Sequence, residues 1–381
     1  MVESIHPETL PLAPPRDIRE LVGQLFVCGF EGKTLPQGLQ EALEKGHCGG
    51  IILFARNIAT PAELVSLNTS IAETNKAIPP WIGVDQEGGR VRRLRAPFTE
   101  LPPAAVLGIE DSTDIARQYG QILGEEAAAA GFNWVFAPIL DVHTNPHNPV
   151  IGDRSLAQQP EQVARLAMAK ADGLIDAGVM PCGKHFPGHG DTDKDSHLTL
   201  PTVSHPRERL ESIEWLPFRA AVQAGLPAIM TAHVLFPTLD SVYPATLSVR
   251  ILRDILRDAW GYDGLVVSDD LEMKGVAEHY PIEEIVVRGL LAGIDVFLLC
   301  RVWEALGPAT EAVLAALRDG RISEERLLAS WRRIMRAKAR FAGFSHRCSS
   351  ETIDSYLAEQ HEHRAQAAHL QSRWVGASRQ V

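Results

Sequence analysis

The chain has 381 residues, 45% of them hydrophobic and 22% charged, an ordinary globular composition that excludes a disordered chain. Its formal net charge of −11 argues against a general nucleic-acid binder, whose phosphate contacts need a basic face. The five cysteines are scattered with no C-x-x-C, no basic segment followed by an apolar run opens the chain, and no apolar stretch approaches the ~20 residues of a membrane helix, so a reduced, cytoplasmic, non-membrane protein is expected. In chain order, apolar runs at 23–30, 49–54, 80–85, 131–138, 178–185, 226–233, 263–269 and 294–299 predict strands. Helical stretches are predicted near 60–76, 112–130, 160–176, 207–224, 246–260 and 282–292, with two more near 307–318 and 323–341. Strands apolar on both faces and separated by helices indicate a buried parallel sheet. Eight such units are what an α/β protein of the (β/α)8 TIM-barrel type requires. A doubly wound open sheet is the alternative, weakened by the absence of a G-x-G-x-x-G turn after the first strand. The expected organisation is one barrel domain over 1–345 followed by a polar tail over 346–381, helical or mobile.

Polar residues cluster after four of the strands. Strand three runs into Asp85-Gln86-Glu87-Gly88-Gly89-Arg90, strand five into Lys184-His185 and on to Asp195-Ser196-His197, strand six into Thr231-Ala232-His233, and strand seven into Ser268-Asp269-Asp270-Leu271-Glu272. In a barrel these ends converge on one face, where active sites sit. Any one acid there can instead cap the following helix, a reading that stays open for Asp270 and Glu272. Two long polar connections, 139–158 and 186–206, open on the same face.

The second of these connections holds several histidines and aspartates, but their spacing does not suit a metal. His185 and His189 are four apart, yet Pro187 and Gly188 between them oppose the helix of a zinc H-E-x-x-H site. A calcium loop started at Asp191 would carry Ser196 where glycine is needed and Thr202 where glutamate is needed. No metal or cofactor is therefore expected. Asp195 and His197, two apart on a turning segment, suit acid–base work: the carboxylate can fix the imidazole tautomer, and the ring can then move a proton. A histidine that only staples the loop is the equal alternative on chemistry alone.

Taken together, these residues resemble glycoside hydrolase family 3, specifically its β-N-acetylglucosaminidase branch. The resemblance rests on D-Q-E-G-G-R-V at 85–91, G-D-R-S at 152–155, K-H-F-P-G-H-G-D-T at 184–192, D-S-H at 195–197, M-T-A-H-V at 230–234 and S-D-D-L-E-M at 268–273. The motifs follow the family order across most of residues 20–340. The resemblance implies a barrel and a carbohydrate substrate. It makes Asp269 the nucleophile and Asp195 with His197 the acid–base pair. Lys184 and His185 become holders of sugar hydroxyls, and Asp85, Arg93 and Arg154 further sugar-pocket positions. It also implies retention through a glycosyl-enzyme, and action on cell-wall fragments during peptidoglycan recycling. A family 3 β-glucosidase or broad exo-glycosidase, a phosphorylase using the same nucleophile, and a non-catalytic sugar-binding protein are the rival readings. The oligomeric state is left open.

Overall fold

The computed structural model describes residues 13–196, 198–343 and 348–378. Its strands are β1 (Phe26–Cys28), β2 (Gly50–Leu53), β3 (Trp81–Val84), β4 (Trp134–Val135), β5 (Met180–Pro181), β6 (Gly183–Phe186), β7 (Ala228–Thr231), β8 (Leu265–Asp270) and β9 (Val296–Leu299). They form one parallel sheet in the order β5-β4-β3-β2-β1-β9-β8-β7-β6. The two ends of that order, β5 and β6, are separated in the chain only by Cys182. Cys182 N donates to the Ala137 carbonyl at 2.8 Å and Lys184 N to that of Pro138 at 3.1 Å, which closes the sheet. All eight predicted strands are therefore present, and the fifth is divided by one residue. The result is the (β/α)8 barrel the alternation requires.

The strands read as continuous apolar runs because β1, β2, β3, β7 and β9 are buried along their whole length. Helices cover the outside, and local signals set their limits. Pro61–Ala72 starts at a capping box in which Glu63 N donates to Thr60 Oγ1 and Thr60 N donates to the Glu63 carboxylate. Thr113–Ala129 starts at Ser112 and is followed by Gly131, whose φ of +92° suits a residue without a Cβ. The helix predicted over 207–224 is two, Arg207–Ser212 and Leu216–Gln223, because Ile213 leaves helical geometry and Pro217 enters the first turn of the second. Among the described residues no helix is long and apolar enough to cross a membrane.

The polar tail is helical where it is described, with Ile353–Ala358 and His361–Ser378. Buried Ile353, Leu357, Ala367 and Leu370 seat it on the barrel, and Arg373 pairs with Glu110 of the short helix Val106–Glu110. His363 hydrogen-bonds Glu126 at 3.0 Å and reaches Glu125 at 3.3 Å. Burial alone would lower this imidazole, but the two carboxylates lift it to about 9. A raised histidine contributes in full below its ordinary value near 6.5, and the contribution is lost as pH rises through about 9. His363→Ala is expected to make the tail cleave severalfold faster in limited proteolysis at neutral pH, and the difference from the parent should vanish above pH 9. Equal cleavage at neutral pH would show that the apolar contacts alone seat the helix.

Candidate active site

At the C-terminal ends of β3 and β6, buried charges form one network. Lys184, 3% exposed, donates to Asp85 at 2.9 Å and lies 2.7 Å from Glu87. Glu87, 1% exposed, also takes Arg154 in a two-point grip, from Nε at 2.9 Å and Nη2 at 2.8 Å. Arg93 approaches the other oxygen of Asp85 at 3.4 Å. An arginine fork on a carboxylate is a strong, directional pair. Burial on its own would raise the Glu87 and Asp85 carboxyls. Arg154 and Lys184 hold the first well below the carboxylate range, and Lys184 and Arg93 hold the second below it. Beneath Glu87, Lys170 donates to its carbonyl at 2.8 Å, and burial pushes that ammonium down to about 7. Asp85, Arg93, Arg154 and Lys184, all predicted from sequence, thus meet, and Glu87 is what ties two of them together.

A second acid was not singled out in the sequence. Asp141 follows β4, is fully buried, and hydrogen-bonds His185 Nδ1 at 2.7 Å. It also accepts the backbone N–H of His185 and, at 2.7 Å, that of His189. Burial would raise its carboxyl, and the His185 ring beside it holds it below the usual range. This arrangement sets the His185 ring with Nε2 directed away from Asp141. The available signal was a lone acid between Leu140 and Val142 at a strand end. His189 is a staple: Nδ1 meets Thr192 Oγ1 at 2.7 Å and Nε2 meets Ser196 Oγ at 3.0 Å, and burial and His185 push the ring down to about 4.

At the end of β8 and just beyond it, the three acids of S-D-D-L-E-M separate by role. Ser268 and Asp270 both face β9: Ser268 Oγ accepts from Leu298 N at 3.0 Å, and Asp270 Oδ1 from Cys300 N at 3.2 Å and Glu272 N at 3.1 Å. Burial lifts the Asp270 carboxyl to about 6. Glu272 accepts the backbone N–H groups of Arg301 and Val302. Asp270 and Glu272 therefore brace the segment after β9 and do not cap the following helix, Lys274–Ala277, whose N-cap Met273 makes no side-chain cap bond. Asp269, half-buried, lies between Ser268 and Asp270, where the register between β8 and β9 shifts; Oδ1 accepts from Asp270 N at 2.8 Å. The buried Cys182 thiol, raised by burial, is within electrostatic reach of Lys184, Asp85 and Asp269 together, which places the β3, β6 and β8 ends around one centre.

The loop after β6 reaches the same region. Asp195 is half-buried, and its carbonyl accepts from Leu198 N at 3.0 Å and Thr199 N at 3.1 Å, forming a turn. His197, the predicted acid–base residue, lies outside the described residues. The turn is fastened beyond β8, where Gly275 N donates to the Ser196 carbonyl at 3.0 Å. A Cβ on Gly275 would stand 2.8 Å from that oxygen and 3.1 Å from the Thr199 carbonyl. Both contacts are backbone, so the turn would have to move. Gly275→Ala is expected to lower turnover on the order of 10²-fold, the scale of an ångström-sized misplacement of catalytic groups, with a nearly unchanged melting temperature. Unchanged turnover would show that the position of this turn is unimportant.

Comparisons with known proteins agree with this geometry. Residues 17–337 match the model of the glycosyl hydrolase family 3 N-terminal domain. The chain is 39% identical over 305 residues to a beta-hexosaminidase of Alkalilimnicola ehrlichii, spanning 78% of this chain and 85% of that protein. Its fold is similar to that of a glycoside hydrolase family 3 beta-N-acetylglucosaminidase from Paenibacillus sp. str. FPU-7, with a TM-score of 0.88 and 39% identity, over 94% of this chain and 69% of that one. It is also similar to NagZ from Neisseria gonorrhoeae, solved with N-trifluoroacetyl-D-glucosamine, with a TM-score of 0.75 and 32% identity, over 92% of this chain and 98% of that one. Together with the acid-bearing strand ends of a closed barrel, these matches place the chain in glycosyl hydrolase family 3, in its β-N-acetylhexosaminidase branch, as a glycoside hydrolase.

Proposed function

We propose that the protein removes single β-linked N-acetylglucosamine residues from the non-reducing ends of peptidoglycan-derived fragments, with retention. Asp269 attacks the anomeric carbon as the glycosidic C–O bond breaks, and His197 gives its proton to the departing oxygen. The same imidazole then takes a proton from water, whose oxygen displaces Asp269 and releases the sugar. Asp195 orients the imidazole. Lys184 and His185, with Asp85, Arg93 and Arg154, bind the hydroxyls of the one sugar ring held in the pocket. The observation that supports this reading is a division of labour at the end of β8: Asp270 and Glu272 hold backbone amides, while Asp269 shares the surroundings of the buried Cys182 with Lys184 and Asp85. The ion-paired ring of Lys184, Arg154, Asp85 and Glu87 supports a pocket for one sugar. Its groups are ordered before a ligand arrives, and a site built to pair hydroxyls rejects sugars that leave those groups unpaired.

Chitooligosaccharides labelled at the reducing end test the exo reading. Free N-acetylglucosamine, with the label staying on a chain that shortens one residue at a time, is expected with or without added phosphate. Early dimers or trimers, a sugar phosphate as product, or equal cleavage of β-glucosides would overturn it.

A further inference from the structure

A cavity of about 690 Å³ lies outside the catalytic ring, between the connection after β4 and the C-terminal helix. Its volume falls within the roughly 300–1,000 Å³ of small-molecule sites. Trp374 of the C-terminal helix forms one wall, Ile109 and Leu156 another, and His143, Gln158 and Gln159 supply polar edges. The Gln158 and Gln159 side chains are exposed, and Trp374 is half-buried. Among the described residues no lysine or arginine lines the cavity, and its carboxylate, Asp153, is already paired with Arg90 at 3.3 Å. The described lining itself thus offers an ionic ligand no unpaired charge.

An indole wall flanked by amides suits a molecule with one apolar face and hydroxyls at its rim, and an aliphatic wall suits a methyl group. His143 adds a specific vacancy in hydrogen bonding. Its Nδ1 is buried with no partner among the described residues. An unmade hydrogen bond of this kind costs on the order of 1–3 kcal/mol. His143 itself lines the cavity, so a ligand hydroxyl is a candidate partner.

The cavity also backs directly onto the catalytic ring. His143 N donates to the Ala157 carbonyl at 3.1 Å, and Ser155 Oγ to the Asp141 carbonyl at 2.7 Å. Asp141 and Arg154 stand on the catalytic side of these two segments, and His143 and Leu156 on the cavity side.

We infer that this cavity is a second saccharide site, separate from the catalytic pocket, for a neutral N-acetylated oligosaccharide seated on Trp374. The C-terminal helix thereby acquires a function in addition to its packing. The choice of an N-acetylated sugar rests on the branch assignment, and the test separates the two. A sulfur-linked chitotriose, which resists hydrolysis, is titrated calorimetrically into the full chain. Part of the binding is expected to depend on Trp374: Trp374→Ala should weaken that part about tenfold or more, the scale of a buried aromatic anchor. The double variant Gln158→Ala/Gln159→Ala, whose side chains are exposed, should weaken it as well. Both variants should hydrolyse small aryl N-acetylglucosaminides at the parent rate. If all binding survives both variants, the second site does not exist. If the catalytic pocket does not take this sugar, the Trp374-independent part is missing while the Trp374-dependent part remains.

Discussion

Asp269→Asn is expected to lower turnover by on the order of 10⁴–10⁶ on every substrate, the scale seen when a covalent nucleophile is removed. The uniformity follows from chemistry. Without the carboxylate no glycosyl-enzyme forms, however good the leaving group. The amide is nearly isosteric, and the hydrogen bond from Asp270 N can be kept by the amide oxygen, so the fold should survive. Asp270→Asn is the informative neighbour. The Asp270 carboxyl accepts Cys300 N and Glu272 N, and an amide oxygen can accept both, so this variant should lose far less activity. Rates of the two variants on a nitrophenyl N-acetylglucosaminide give the comparison, and an active Asp269→Asn enzyme would reverse the assignment.

His197→Ala should depend strongly on what is leaving. General acid–base catalysis is worth about 10²–10⁴-fold, and it is needed where the departing oxygen is basic. Sugar aglycones should therefore slow by that amount, and activated aryl groups much less in the glycosylation step. Asp195→Asn should show the same pattern more weakly, because it removes the orientation and charge beside the imidazole but not the imidazole. An equal loss on all leaving groups would make His197 a loop staple, the role that His189 fills through Thr192 and Ser196.

Most of the barrel is legible in the sequence because burial on both faces leaves a plain signal, as in Ile51-Ile52-Leu53 of β2 and Val296 to Leu299 of β9. The break at Cys182 is not legible: it depends on β5 pairing with β4 while β6 pairs with β7, a consequence of closure. The docking of the tail is equally hidden, since Ile353, Leu357, Ala367 and Leu370 are spread thinly through a polar segment. In the site, the motifs pointed to the strand ends but not to who partners whom. For Arg154 the sequence leaves two readings, a donor to sugar or a partner of a nearby acid such as Glu87 or Asp153; two of its nitrogens grip Glu87 and a third donates to the Val150 carbonyl at 3.2 Å. Asp141 escaped notice because its importance lies in the three hydrogen-bond donors it gathers from 44 and 48 residues away. Burial and pairing of this kind are set by the closed sheet, not by local spacing.

The covalent role of Asp269 is tested most directly by trapping. The protein is incubated with a fluorinated N-acetylglucosaminide inactivator, digested, and the modified peptide is sequenced by fragmentation. One sugar per chain on the Asp269 carboxyl is the predicted result. A label on Asp270, or inactivation with no covalent adduct at all, would contradict it.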